Sequence, residues 1–152
     1  VMYEGREMVV SKGKDRDGDI KMIDVGGVKA LADSLAVNGS LTSLNLISNE
    51  IGAEGAKSLA EALRVNASLT SLSVASNDIV GDGARQLASA VIGKPTLENF
   101  SSLPLKELRT DSLATLDLSS KGLGVPEAMV LADLLAVSGS LTNLSLAHNN
   151  IG

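Results

Sequence analysis

The sequence contains no cysteine and no long apolar run. Without cysteine, disulfide bonds and thiolate metal sites are excluded, and the composition suits a reducing, intracellular compartment whose identity stays open. No apolar stretch approaches the roughly 20 residues that span a bilayer, so direct membrane insertion is not expected.

Basic clusters are also missing, and the net charge is −5. Proteins that bind DNA or RNA draw most of their affinity from Lys and Arg side chains placed against phosphates. The charge balance therefore argues against a nucleic-acid partner.

The sequence does contain a repeated phrase. "SLTSLNLISNEIG" at 40–52 returns as "SLTSLSVASNDIV" at 68–80 and as "SLTNLSLAHNNIG" at 140–152. Between phrases, apolar residues recur at i, i+3, i+4 and i+7, which is typical of one helix face. In the first block these residues are Ala56, Leu59, Ala60 and Leu63. The pattern predicts that each block forms a strand, a loop, a helix and a turn.

The motif LxxLxLxxNxIGxxGAxxLAEAL at 41–63 resembles the leucine-rich repeat in its 28-residue, ribonuclease-inhibitor-like form, and the resemblance extends over about residues 23–152. It implies a right-handed α/β solenoid with parallel strands on the concave face and helices on the convex face. One repeat buries too little apolar surface to be stable alone, so neighbouring repeats must stack. Residues 44–46, 72–74 and 116–118 are therefore expected to lie in one sheet.

The repeat frame also predicts how the chain is divided. Residues 97–112 are too few for a full repeat and contain Pro104, so this repeat is expected to lack a helix, with Phe100 in the core. The predicted units are an amino-terminal cap with a degenerate first repeat at 1–40, two full repeats at 41–96, a short repeat at 97–112, a full repeat at 113–140 and the start of a truncated repeat at 141–152.

The frame places an asparagine at the end of three strands. An Asn amide can satisfy backbone groups where the strand turns away, so Asn49, Asn77 and Asn149 are predicted to form a structural asparagine ladder. Lys121 stands at the matching position of the fourth repeat and has no acceptor, so the ladder is expected to break there.

Outward strand residues are the candidate partner-binding site. In ribonuclease inhibitor and related receptors the concave face binds a protein, so the resemblance implies a protein partner here. The residues are small and mildly polar, without the Trp, Tyr and Arg typical of interface hot spots. The predicted concave face consists of Ser43, Asn45, Ile47, Ser71, Ser73, Ala75, Thr115, Asp117, Ser119, Asn143, Ser145 and Ala147.

No catalytic residue, cofactor or metal site is predicted. Residues 13–24 fit an EF-hand loop only in part, because Gly13 holds the first ligand position and Asp24 the last, so a solvated turn is the preferred interpretation. The predicted function is a non-enzymatic protein-interaction or scaffold module, as a segment of a longer protein or a subunit of an assembly. Its open carboxy-terminal edge is expected to be covered by further repeats or another chain. The alternative is a small-GTPase regulator similar to the Ran GTPase-activating protein.

Overall fold

The computed structural model describes residues 2–4, 7–9, 13–14, 20–21 and 25–151. Most of residues 13–24, interpreted from the sequence as a solvated turn, including Asp15, Asp17 and Asp24, lie outside the described residues. The elements are β1 (Met2–Glu4), β2 (Glu7–Val9), β3 (Gly13–Lys14), β4 (Ile20–Lys21), α1 (Val25–Val37), β5 (Ser43–Asn45), α2 (Gly52–Val65), β6 (Ser71–Ser73), α3 (Gly81–Ile92), β7 (Asn99–Phe100), β8 (Leu103–Pro104), α4 (Leu105–Arg109), β9 (Thr115–Asp117), α5 (Val125–Leu135) and β10 (Asn143–Ser145).

The helices bury the apolar stripe that the sequence predicts. In α2, Leu59 and Leu63 are fully buried, whereas Glu61 and Arg64 are exposed to solvent. In α3 the matching positions, Leu87 and Val91, are buried in the same way. Consecutive helices α1, α2 and α3 pack side by side, so each one covers the flank of its neighbour.

The strands of the first repeats pair in parallel and in register. Leu44 of β5 pairs with Leu72 of β6, and both side chains are buried between the strands and the helices. On the other side of β5, β2 pairs in parallel, and β1 closes that edge as an antiparallel strand. The chain is therefore an α/β solenoid in which strands form one layer and helices the other.

Glycine allows two of the helices to approach closely. A Cβ atom added at Gly83 would lie only 2.2 Å from the backbone oxygen of Ala53 in α2. A Cβ at Gly55 would lie 2.9 Å from the Ile51 side chain and 3.2 Å from Val28 in α1. Real Cβ contacts are longer, so this one position of the repeat requires glycine in both blocks.

The sheet is interrupted within residues 97–112. β7 pairs in parallel with β6, but the chain then reverses at Ser101, which has a φ of 52°, and β8 runs antiparallel to β7. Because β8 covers the edge of β7, β9 pairs instead with β10 in a separate two-stranded sheet. The prediction of one sheet containing residues 44–46, 72–74 and 116–118 was therefore wrong for the third strand.

The short repeat also differs from prediction in its helix. Residues 97–112 include α4, a helix of five residues, so the helix is shortened and not absent. It ends at Arg109 with Thr110 as its C-cap, and the next residue, Asp111, has a φ of 53° that an α-helix cannot accommodate. Phe100 is completely buried, which confirms its predicted place in the core.

Stacking continues on the helix side past this interruption. Helix α5 packs directly against α3, and the Ser76 amide donates a hydrogen bond to the Gly122 carbonyl at 3.0 Å. The repeat at 113–140 thus contacts the repeat at 69–96, where a full repeat at 97–112 would have intervened.

In the part of the chain that the structure describes, none of the helices has the length and apolar character needed to span a bilayer.

Candidate interaction surfaces

The predicted concave residues lie in two groups and not in one continuous row. Ser43 of β5 pairs with Ser71 of β6, and Ser71 pairs with Asn99 of β7. Beyond the sheet interruption, Thr115 of β9 pairs with Asn143 of β10. Each group therefore presents side chains at a fixed spacing, about 4.8 Å between neighbouring strands.

Exposure differs among these residues. Ile47 is 41% exposed and is the one large apolar side chain among them. Thr115, Asp117, Asn143 and Ala147 are exposed, while the remaining predicted members are half-buried, apart from Ala75. The surface is thus shallow, small in its side chains and mostly polar.

Ala75 departs from the prediction. It is only 4% exposed because the loop that contains Gly122 lies against it: a Cβ at Gly122 would be 3.8 Å from the Ala75 side chain. The loop is held there by the hydrogen bond from Ser76 to Gly122. Ala75 therefore lies too deep in this structure to contact a partner.

Asn99 is a concave residue that the sequence prediction missed. It is exposed, and its pairing with Ser71 places it in the same row as Ser43. The signal was present in "LENF", because a buried Phe100 requires the preceding residue to point to the opposite side of the strand.

Asp117 is the acidic residue of this surface. Its carboxylate accepts hydrogen bonds from the Ser119 hydroxyl at 2.5 Å and from the Ser119 amide at 2.9 Å. These bonds, the hydroxyl bond foremost, hold the pKa of the Asp117 carboxyl below its usual value. The side chain is therefore a fixed negative charge at neutral pH, held in one orientation.

The three ladder asparagines bond to the backbone. Asn77 accepts the Asn49 amide hydrogen at 2.9 Å and donates to the Leu46 carbonyl at 2.8 Å. Asn149 accepts from the Lys121 amide at 3.0 Å and donates to the Leu118 carbonyl at 2.7 Å. The amide groups of Asn77 and Asn149 thus connect adjacent repeats and are occupied within the fold.

A second polar ladder at the opposite end of the helices was missed. Asn66 is buried, accepts the Leu69 amide hydrogen at 2.8 Å and donates to the carbonyls of Leu35 at 2.8 Å and Asn38 at 3.0 Å. One repeat later, the Lys94 ammonium donates to the Asn66 carbonyl, and burial lowers the pKa of Lys94. The recurrence of "VNGS" as "VNAS" was the available signal.

The sole histidine lies on an exposed loop. His148 has a φ of 57°, as do Ser48 and Ser76 to within a few degrees at the matching positions of earlier repeats, so it occupies an ordinary turn position. In the described part of the chain, no group of three or more His, Cys, Asp and Glu residues could hold a metal ion.

Comparisons with known proteins agree with this architecture. The sequence matches the family described as Leucine Rich repeat over residues 37–60 and 65–88. No curated protein matches the sequence significantly. A solved structure titled "Leiomodin-1 Actin-Binding Site 2 (ABS2)" is similar in fold, with a TM-score of 0.58 and 19% sequence identity over 93% of this chain and 69% of that one.

Proposed function

We propose that this chain, which is a leucine-rich-repeat protein, serves as a non-enzymatic interaction or scaffold module that binds a partner protein on its concave face. The observation that carries this proposal is the row formed by Ser43, Ser71 and Asn99, whose side chains stand at the same level on three paired strands. Their backbones are held by the sheet, so such a row can meet a partner without loss of backbone entropy.

The chemistry of this face favours a broad and modest contact. Ile47 supplies one apolar side chain, Asp117 a fixed negative charge, and the others short hydroxyl and amide groups. Large aromatic anchors, which dominate tight interfaces, are missing from the described part of this face. We therefore expect an affinity in the micromolar range or weaker unless other surfaces also contact the partner.

Actin is the first named partner to test, because the structure of similar fold is titled as an actin-binding site. The likeness is one of fold, so the test must also include partners captured from extract. An intracellular location is part of the same proposal, since an actin-like partner would be met there.

The experiment compares two triple variants that change the net charge equally. The first places arginine on the concave face at Asn45, Ser73 and Asp117, and the second places it on exposed helix positions at Ala30, Glu61 and Ser89. Co-sedimentation with actin filaments and affinity capture from extract should both be weakened by the concave variant alone. Equal capture by the two variants, with folding verified by circular dichroism, would exclude the concave face.

The open edge of β10 is the second part of the proposal. Leu41, Leu44 and Leu46 are buried, whereas their counterparts Leu141, Leu144 and Leu146 are all partly exposed. Further repeats or another chain would bury these leucines and pair with the free strand. In native extract the protein should then migrate well above the 15.5 kDa of this chain. A free species of 15.5 kDa would contradict the proposal that the edge of β10 is covered.

The alternative of a Ran-type regulator of a small GTPase has no observation in its favour. The comparisons concern repeat architecture and a structure named for actin binding, and neither bears on GTP hydrolysis.

A further inference from the structure

Asn38 and Gly39 form the single Asn-Gly pair of the sequence. They follow the carboxy-terminal end of α1, and both residues are exposed. A Cβ atom added at Gly39 would meet no other atom within 4 Å, and Ala67 holds the same position in the next repeat. Packing therefore does not require this glycine. Its absent side chain leaves the backbone nitrogen that follows Asn38 mobile and unobstructed.

The side-chain carbonyl of Asn38 is held by two backbone amides. Its Oδ1 atom accepts hydrogen bonds from the amide of Ser40 at 2.9 Å and from the amide of Leu41 at 2.7 Å. Donors placed on a carbonyl oxygen stabilise the negative charge that develops there when a nucleophile attacks the carbon. The Nδ2 group of Asn38 makes no hydrogen bond within the described part of the chain. The amide carbon is thus activated, and no described group holds the nitrogen that would leave it.

Asn66 is the matched residue one repeat later and differs at that nitrogen. Its Oδ1 atom accepts from the backbone amides two and three residues ahead, at 3.1 and 2.8 Å, as in Asn38. Its Nδ2 group, however, donates to the carbonyls of Leu35 at 2.8 Å and Asn38 at 3.0 Å, and the residue is only 3% exposed. The fold therefore protects the side-chain amide of Asn66 and leaves that of Asn38 open to reaction.

We propose that Asn38 is a site of spontaneous deamidation. The backbone nitrogen of Gly39 loses its proton to water and attacks Cγ of Asn38, the Cγ–Nδ2 bond breaks, and Nδ2 takes up a proton and leaves as ammonia. The two groups belong to adjacent residues, so this step is intramolecular. Water then opens the five-membered succinimide at either carbonyl and yields aspartate or isoaspartate. No electrons are exchanged with another molecule, and either product adds one negative charge.

The isoaspartate product should weaken the joint between α1 and the first full repeat. The main-chain carbonyl of Asn38 accepts the Asn66 Nδ2 group at 3.0 Å and the Ser68 hydroxyl at 3.3 Å. Isoaspartate lengthens the main chain by one methylene and turns this carbonyl into a free carboxylate, so the loop leading into β5 must rearrange. Asn38→Asp keeps the normal main chain. In urea denaturation, protein aged at Asn38 should be less stable than Asn38→Asp, and equal stability would contradict this step.

Two substitutions separate the chemistry from packing. Gly39→Ala adds a methyl group in open space, hinders the attacking nitrogen and should slow the reaction. Ala67→Gly removes an exposed methyl group and places a second Asn-Gly pair at the protected Asn66. The sequence motif is then the same at both asparagines, and the surroundings of their side-chain amides differ. None of these positions belongs to the concave face, and the inference does not depend on the proposed function.

The full chain and both variants are incubated at physiological temperature and mildly alkaline pH, and their peptides are examined by mass spectrometry for replacement of the asparagine amide by a carboxyl group. Asn38 should convert in the wild type and at least about tenfold more slowly in Gly39→Ala. In folded Ala67→Gly, Asn38 should convert as in the wild type while Asn66 stays intact, and both should convert in urea. An unaltered wild type, equal rates in Gly39→Ala, or equal conversion of Asn38 and Asn66 in the folded variant would overturn the proposal.

Discussion

The side-chain oxygen of Asn77 lies 2.9 Å from the backbone nitrogen of Asn49, one repeat earlier in the chain. The same amide group donates to the carbonyls of Leu46 at 2.8 Å and Val74 at 2.9 Å, and the residue is buried. Removing it leaves several buried backbone groups without partners. We expect Asn77→Ala to lower the free energy of unfolding by about 3 kcal/mol, measured by urea denaturation.

Two further variants test this explanation. Asn77→Asp keeps an acceptor for the Asn49 amide but loses the two N–H donors, so it should also lower the free energy of unfolding substantially. Asn45→Ala removes an amide whose one bond is local, to the Ile47 nitrogen at 3.0 Å, and should cost less than about 1 kcal/mol. If Asn77→Ala costs no more than Asn45→Ala, the cross-repeat bonds do not contribute as proposed.

The sequence predicts well what recurs with the repeat. Leu44, Leu46 and Leu72 are buried because strand side chains alternate, and each repeat meets the same surroundings as the last. The bonds of Asn77 follow from the same regularity. Periodicity therefore predicts burial, helix faces and polar ladders within full repeats.

The repeat frame predicts that the repeat at 97–112 is short, but it does not predict that the sheet breaks there. The break depends on the chain reversal at Ser101 and on α5 packing against α3, and both arise from contacts that occur once. One local sign was visible, since Glu127 stands where the two full repeats before the interruption have Gly55 and Gly83. A departure from a required glycine indicates that the neighbouring helix is short or displaced.

Gly83 tests how closely α3 and α2 must approach. Gly83→Ala adds a methyl group at 2.2 Å from the Ala53 oxygen, so the helices must separate. We expect a loss of about 2 to 3 kcal/mol in unfolding free energy despite the better helix propensity of alanine. Gly39→Ala is the control, because no atom lies within 4 Å of the added Cβ, and it should be neutral or slightly stabilising. Similar effects at the two sites would contradict the packing argument.

Arg109 holds the carboxy-terminal end of α3. Its guanidinium donates to the carbonyls of Leu97 at 2.5 Å, Val91 at 3.0 Å and Lys94 at 3.1 Å. Partial burial lowers the pKa of Arg109, but the group stays charged at neutral pH. Arg109→Met keeps much of the apolar stem and loses these bonds. We expect it to cost about 1 to 3 kcal/mol in urea denaturation.

A lysine variant tests whether Arg109 stabilises the fold through the geometry of its guanidinium group or through its charge alone. Arg109→Lys keeps the charge but cannot reach carbonyls that the planar group contacts from two nitrogens, so it should recover less than half of the loss. Lys106→Met is the control, because Lys106 is exposed on the same helix and its one ion pair, with Glu98, is long at 3.9 Å. Full recovery by lysine would show that charge alone is needed.

The hydrogen bonds of Asp111 are expected to make the stability of the fold depend on pH in the acidic range. Its carboxylate accepts the hydroxyl hydrogens of Ser138 and Ser140, each at 2.7 Å, and the amide hydrogens of Gly139 and Ser140. These bonds, led by the one from Ser138, hold the pKa of Asp111 far below the value of about 3.9 of an unfolded chain. The folded state therefore binds its proton less tightly than the unfolded state, and the stabilisation is complete above about pH 5 and declines as the pH falls below about 4.

The measurement is the urea midpoint of the wild type and of Asp111→Asn between about pH 7 and pH 2.5, the interval in which an unfolded aspartate takes up its proton. The variant should be less stable at neutral pH, and the difference should shrink as the solution is acidified. Asp133→Asn is the control, because Asp133 is exposed on α5 and its carboxylate makes no hydrogen bond or ion pair within the described chain. The urea midpoint of Asp133→Asn should stay close to that of the wild type at every pH of the series. A difference at Asp111 that is the same at every pH would mean that its hydrogen bonds do not favour the charged carboxylate over the acid.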